Sequence, residues 1–371
     1  MLIGVPSEIK AQESRVGLTP ASVKELVNHG HKILVQDQAG FGAGFENIDY
    51  ESAGAKIVRE ASDIFNDVEM IIKVKEPLQN EVEMLRENQI LFTYLHLAAS
   101  PELTAGLVKS KAICIAYETV TDKNNRLPLL APMSAVAGRM SIQAGAHSLE
   151  KPQNGRGLLL GGAPGVEPCN VLILGGGVVG ENAAIIATGM KATVSIVDKS
   201  SQRLKELHSK YSNTIIPLQS DEIDLNELIK NCDLLIGSVL VPGANAPKLV
   251  SKEMIGFMKR GAVIVDVAID QGGCVETSKP TTHANPTYMV GDVVHYCVTN
   301  MPGGVPMTAT LALNAATLPF VLKIAQQGYK KALSSDLNFL EGLNVFQGNV
   351  THKAVADDLN YKYVSASSAI N

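Results

Sequence analysis

The sequence predicts an α/β protein of two Rossmann-like, doubly wound parallel-sheet domains with a cleft between them. Three observations carry that reading. Short apolar runs alternate with helical patterns along both halves of the chain, which is the rhythm of βαβ units. Residues 171–180 read VLILGGGVVG, a buried strand that runs into a glycine-rich turn. The 371 residues suffice for two cores, and a composition of 46% hydrophobic and 19% charged residues is that of a globular chain.

LIGV opens the chain as a strand. A helix follows from Pro20 to about Asn28, with Thr19 as its N-cap, Pro20 in its first turn and Gly30 as its stop. KILVQ, MIIKV, QILFTYL and AICIAY are the next strands, separated by helical or loop segments. This first sheet has no glycine fingerprint, so it is expected to hold something other than a dinucleotide. A helix from about Pro132 to Glu150 leads out of it, and KPQNGRGLLLGGAPGVEPCN, rich in Gly and Pro, forms a long turn. From Asn170 the runs VLIL, TVSIVD, TIIPL, DLLIGSV and AVIVDVA resume the rhythm.

From Met301 to Leu322 no residue is charged, and this length nearly spans a bilayer at about 20 residues. Gly303, Gly304, Pro306 and Pro319, with Thr308, Thr310, Asn314 and Thr317, favour instead a long helix buried between domains, beginning near Met307. The tail from about Gln326 reads as short helices that return to the first domain. Residues 1–130 with 307–371 are therefore expected to form a discontinuous substrate domain, and residues 131–306 the dinucleotide-binding domain.

The glycine turn carries the clearest chemistry. Gly175 permits a tight turn, Gly177 lets the backbone approach a pyrophosphate, and Gly180 lets the helix pack close to the strand. Val178 and Val179 open that helix, whose N-terminus presents unpaired N–H groups to an anion. Asp198 ends the next apolar run about 20 residues on, where a carboxylate accepts hydrogen bonds from an adenosine ribose. A carboxylate there repels the 2′-phosphate of NADP and so favours NAD, although Lys199 and Arg203 follow closely and soften the preference.

Composition excludes other classes. A net charge of −5 with no basic run argues against a nucleic-acid surface. The five cysteines are odd in number, scattered and without a CxxC pair, which fits buried thiols in a reducing cytoplasm and no metal site. MLIGVPSEIKAQES has too short an apolar core for a signal peptide, and no membrane partner is expected.

Open α/β sheets bind ligands beyond the carboxyl ends of their strands, so the cleft is the expected active site. Lys75 follows one strand, His96 ends the next, Asp270 follows a strand of the second domain, and Arg15 lies in the loop after the first strand. Spacing alone does not separate these residues from solvated charges or turn caps.

A resemblance does. The segments VPSEIKAQESRVGLTP, IIKVKEP, YLHLA, APMSAVAGRM, LILGGGVVG, SVLVPGANAPKLV, VIVDVAIDQGG and NMPGGVPMTAT together resemble the alanine dehydrogenase family. That family also contains the nucleotide-binding domain of proton-translocating transhydrogenase. The resemblance spans essentially the whole chain and implies that Arg15 and Lys75 bind a substrate carboxylate. It implies His96 as general acid/base and Asp270 as a second catalytic group. Ser134, Val178, Asp198, Arg203, Ser220, Val239 and Leu240 would line an NAD site. So would two segments, Val267, Ala268, Ile269 and Asp270, and Val298, Thr299, Asn300 and Met301. The resemblance also implies a homohexamer.

The implied reaction is reversible oxidative deamination of L-alanine to pyruvate and ammonia. Its chemistry suits these groups. A small amino acid offers little apolar surface, so its carboxylate must be the handle, and two cations fix it. Hydride transfer from Cα needs reacting atoms about 3–3.5 Å apart. Deprotonating the amine, hydrating the imine and collapsing the carbinolamine each move a proton, a task for histidine. A transhydrogenase subunit has no need of Arg15, Lys75 and His96 together, and a non-catalytic sensor has none of His96 and Asp270.

Overall fold

The computed structural model describes residues 1–211, 214–239 and 246–370. It divides into two compact units, 1–133 with 305–371, and 134–304. In chain order the strands are β1 (Leu2–Val5), β2 (Lys32–Gln36), β3 (Lys56–Val58), β4 (Met70–Ile72), β5 (Ile90–Thr93) and β6 (Ile113–Ala116) in the first unit. The second unit contains β7 (Asn170–Leu174), β8 (Thr193–Asp198), β9 (Ile215–Gln219), β10 (Leu234–Gly237), β11 (Val263–Asp266), β12 (Thr287–Val290) and β13 (Val293–Tyr296). The tail adds β14 (Leu343–Phe346) and β15 (Asn349–Val350) to the first.

Among the described residues the first sheet runs β15-β14-β6-β5-β4-β1-β2-β3, and the second β12-β13-β11-β10-β7-β8-β9. In both, the parallel part has the doubly wound order 3-2-1-4-5-6, counting each unit's parallel strands from its own first. The order reverses between β1 and β4 in the first unit and between β7 and β10 in the second. A doubly wound sheet binds its ligand beside such a reversal.

The central strands are mostly apolar because helices cover both faces of a parallel sheet, with Thr93 and Asp266 as polar residues at two strand ends. MII of β4, ILFT of β5, ICIA of β6 and VIVD of β11 are buried at every position. The Pro20–Asn28 helix starts as its sequence directs: Thr19 accepts the N–H of Ser22, Pro20 occupies the first turn, and Gly30 beyond the end takes φ +82°. The helix leading out of the first unit spans Ala131–Ser148.

The differences from the sequence reading lie at the sheet edges. β3 and β12 are short edge strands, and β13 inside β12 was likewise unread; β12 alternates exposed and half-buried residues. The tail supplies the expected short helices, Tyr329–Ser334, Leu337–Leu340, Lys353–Leu359 and Ala366–Ile370. Between them it also places β14 and β15, which extend the sheet antiparallel from β6. A four-residue run such as LNVF has no periodicity to distinguish it from a buried turn, and only pairing with β6 makes it a strand.

The uncharged stretch is the helix Pro306–Gln327, long and apolar enough by length and composition to cross a membrane. Within its own unit it packs on the Pro20–Asn28 helix and the Phe41–Ala43 turn. Ala309, Thr310, Leu313, Asn314, Thr317, Val321 and Ile324 form its buried face, while Met307 and Leu311 are half exposed.

Candidate functional site

In the second unit, β7 leads into Gly175 at φ +102°, a backbone state that a side chain disfavours. Gly177 is extended, and the helix Val178–Gly189 begins without a side-chain cap. A Cβ on Gly180 would collide with the Gly175 carbonyl oxygen, so the third glycine is required by helix–strand packing. A Cβ on Gly177 would meet nothing within 4 Å, leaving open space in front of uncapped helical N–H groups. The Ser238 hydroxyl donates to the carbonyls of Leu174 (2.8 Å) and Gly175 (2.9 Å), tying the end of β10 to this turn.

Asp198 Oδ2 accepts the N–H of Gly176 at 2.6 Å, and Oδ1 that of Ser200 at 2.8 Å. The carboxylate that the sequence assigns to a ribose therefore also fixes the glycine turn, and each oxygen keeps a further lone pair. Arg203 Nε donates to the Gly176 carbonyl at 2.6 Å, while its Nη atoms pair with Glu206 and Glu181. Glu181 also accepts from Lys210 and Tyr211. Burial pushes the Glu181 carboxyl up, but the bonds from Lys210, Arg203 and Tyr211 outweigh it and hold the group down to about 2. With two carboxylates against it, the Arg203 charge is balanced inside the protein.

The other residues flagged for the nucleotide gather on the same edge. Ser220 follows β9, exposed, its N–H bonded to the Asp198 carbonyl at 3.1 Å. Val239 follows β10, and Leu240 lies outside the described residues, as does VPGAN of its motif. Val267–Gln271 form a 3₁₀ turn after β11, with Ala268 and Ile269 buried and Asp270 exposed. Val298 and Met301 are buried in the core after β13, whereas Thr299 and Asn300 are half-buried. The buried members can offer a ligand only backbone atoms. Ser134 stands apart, half-buried on the Ala131–Ser148 helix.

Sequence reasoning missed Asp266, the residue that builds the Asp270 turn. Wholly buried, it accepts from the N–H groups of Cys274 and Val275 and, at 2.6 Å, from the Ser278 hydroxyl.

In the first unit, Arg15, Lys75 and His96 stand after β1, β4 and β5, again on one carboxyl edge. β1 and β4 are the neighbours at the reversal. Arg15 is 2% exposed and forked on Glu13, Nε to Oε1 at 2.7 Å and Nη2 to Oε2 at 2.5 Å, with Nη1 donating to Met133 Sδ at 3.1 Å. Burial works against the guanidinium charge, and Glu13 more than restores it.

Lys75 is half-buried, and its neighbour Lys73 is the deeply buried lysine. Lys73 Nζ lies 3.1 Å from Glu8 and 2.9 Å from Glu81. Burial opposes its charge, but the two carboxylates raise its pKa; burial in turn raises that of Glu8. Glu8 Oε1 accepts the N–H of Val74 at 2.6 Å and of Lys75 at 3.4 Å, so a carboxylate from the β1 loop shapes the turn that presents Lys75.

His96 is exposed, with φ 50° and ψ 44°, left-handed for a residue that carries a Cβ. Such strain persists where the surroundings over-determine it, and it concentrates at functional sites. Two groups hold it. Glu118, after β6, accepts the N–H of His96 at 2.6 Å and of Leu95 at 3.2 Å. The Tyr94 ring stacks on the imidazole at 6.0 Å and 7°, and its hydroxyl is anchored on the Leu129 carbonyl at 2.6 Å. Glu8, Glu13 and Glu118 were not legible as site residues, because their partners are backbone groups, Lys73 or Arg15, whose positions the fold decides.

Two family models match: Alanine dehydrogenase/PNT, N-terminal domain, over residues 4–137, and its C-terminal domain over residues 141–353. The chain belongs to the alanine dehydrogenase family. An alanine dehydrogenase of Halomonas elongata is 56% identical over 370 residues, covering 100% of both chains. One of Bacillus subtilis is 52% identical over 371 residues, covering 100% of this chain and 98% of the relative. A solved L-alanine dehydrogenase superposes with a TM-score of 0.94 at 52% identity, over 97% of this chain and 99% of the other. A transhydrogenase from Sinorhizobium meliloti shares the fold, with a TM-score of 0.83 at 23% identity, over 94% and 100% of the two chains.

Family membership makes the chain an oxidoreductase that works with a pyridine nucleotide. The residues present fit that group: the glycine turn leaves room where a pyrophosphate would lie, the helix start is uncapped, and Asp198 ends the neighbouring strand.

Proposed function

We propose that the protein catalyses the reversible oxidative deamination of L-alanine to pyruvate and ammonia with NAD. The observation that carries this is the position of Arg15 and Lys75 after β1 and β4, the strands at the reversal, with His96 in a strained backbone after β5, the next strand. Relatives that are 50% or more identical over the full chain are alanine dehydrogenases. We read residues 134–304 as the nucleotide-binding unit and the other unit as the substrate unit. Asp198, uncompensated by Arg203, favours the unphosphorylated ribose of NAD.

NAD, when bound, supplies the hydride acceptor. The protein's own groups do the rest. Arg15 and Lys75 hold the substrate carboxylate, which fixes Cα for a transfer that tolerates little misplacement. His96 takes the proton from the substrate ammonium and returns protons as water adds and ammonia leaves. Asp270, exposed on its 3₁₀ turn, offsets the positive charge that builds on the substrate nitrogen. The buried, unpaired cysteines agree with a reducing cytoplasm, and we read the working form as a homohexamer.

The test is NADH absorbance with pyruvate, with and without ammonium. Oxidation that requires ammonium is the expected result. Oxidation by pyruvate alone would indicate a hydroxy-acid dehydrogenase. Silence in both, with NADH still bound, would overturn the assignment.

A further inference from the structure

The uncharged helix Pro306–Gln327 carries a polar row, Thr310, Asn314 and Thr317, on its buried face. Thr317 satisfies its own helix by donating to the Leu313 carbonyl. Thr310 and Asn314 reach out of theirs. The chain they reach is the segment from Val16 to Thr19, which directly follows Arg15. It has no regular structure, and Val16, Leu18 and Thr19 are at most 3% exposed. Buried irregular backbone must find partners for its polar groups outside any ladder.

Those partners are side chains. Val16 N–H donates to Thr310 Oγ1 at 3.3 Å, and Thr19 N–H to Asn314 Oδ1 at 2.8 Å. Asn314 Nδ2 donates to the Gly17 carbonyl at 3.2 Å, and its Oδ1 also accepts from the Ser22 hydroxyl at 2.9 Å. The Tyr50 hydroxyl donates to the Leu18 carbonyl at 2.9 Å. On the opposite side the segment touches β4, since a Cβ on Gly17 would press into the Ile72 carbonyl. The segment is thus clamped between the strand that leads to Lys75 and one amide-bearing helix almost 300 residues away in the chain.

We propose that Asn314 and Thr310 are positioning residues for substrate binding, setting Arg15 against Lys75 by fixing the backbone that follows Arg15. Packing alone would be served by leucine or valine at both positions. Thr310 and Asn314 are polar because the loop that follows Arg15 has no ladder of its own. This proposal rests on the reading of Arg15 as a ligand of the substrate carboxylate.

The experiment measures pyruvate KM in reductive amination, NADH affinity by fluorescence and thermal stability for Arg15→Lys, Asn314→Ala, Thr310→Val and Thr310→Ser. Stranding a buried N–H or carbonyl corresponds to roughly a tenfold effect or more. Thr310→Val is expected to raise pyruvate KM about tenfold, and Asn314→Ala more, with NADH affinity unchanged. Thr310→Ser, which keeps the acceptor, restores wild-type KM. A folded Thr310→Val with unchanged KM, or a Thr310→Ser as impaired as the valine variant, overturns the proposal. If Asn314→Ala does not fold, the Thr310 pair decides. Arg15→Lys separates the two readings: an unchanged KM there would remove Arg15 from the site itself.

Discussion

The two units share a strand order and differ in what each places at its reversal. In the second unit only Gly175, Gly176 and Gly177 separate strand from helix, and the helix begins uncapped. In the first unit the chain from Pro6 to Thr19 intervenes, and its helix begins with Thr19 as cap and proline in place of an N–H donor. One start keeps its backbone donors for an anion, and the other silences them and presents side chains. The comparison teaches that the topology supplies a location, while the loop after the first strand decides the ligand chemistry.

An arginine balanced by carboxylate also stands at each turn, Arg15 within the first loop and Arg203 on the Ser201–Tyr211 helix that packs on the glycine turn. Arg15 is forked on Glu13 in a buried pair, whereas Arg203 bridges Glu181 and Glu206 with 28% of its side chain exposed. The first pair fixes the orientation of a buried guanidinium, which on the proposed function is the one offered to the substrate carboxylate. The second braces the glycine turn through the Gly176 carbonyl.

Three perturbations break or sharpen this contrast. The largest effect is expected at the first unit's chemistry: His96→Ala should lower kcat by about 10²–10⁴, the usual contribution of a general acid/base, with NADH affinity intact. Steady-state assays check it, and near-normal turnover would remove His96 from the reaction. Next, Asp198→Ala should weaken NADH binding by at least about tenfold, because charge-assisted bonds to the glycine turn are lost together with the ribose acceptor. It should also narrow the preference over NADPH. Fluorescence titration with both nucleotides checks this, and equal affinities before and after would refute the fingerprint reading.

The smallest effect concerns the brace. Glu181 is held down to about 2 from an ordinary 4.5, so its contribution to stability is present above about 4.5 and is lost as the pH falls towards 2. Glu181→Gln should lower the melting temperature modestly at neutral pH and flatten its decline across that acid window. Scanning calorimetry from pH 7 to about pH 3 follows the difference; parallel curves would show that the brace does not contribute.

Legibility in the sequence followed the range of each interaction. The glycine turn and the Thr19 cap were readable because strand, turn and helix are contiguous and each residue acts on near neighbours, whereas Asp198 was marked by its place at the end of the next strand and its bond to Gly176 spans 22 positions. Lys75 was named by its place after a strand and by the resemblance, while Lys73, the buried lysine beside it, was not singled out. The two stand two positions apart, on the same side of an extended chain, and a sheet buried on both faces gives no pattern that marks one of them for burial among carboxylates. Strands near the sheet edges, such as β14 and β15, were missed because their identity lies in a partner strand rather than in their own residues.

By itself the sequence determined two doubly wound sheets, a dinucleotide turn and four residues whose resemblance implied a catalytic set. The tertiary structure decided how those residues are held. Glu8 reaches the Lys75 turn from 67 positions away, Glu118 reaches His96 from 22, and Asn314 reaches the Arg15 loop from 295. Each contact joins an irregular strand end to a side chain from a remote element. A backbone group at the end of a parallel strand has no local partner, so the fold alone selects which distant residue supplies one.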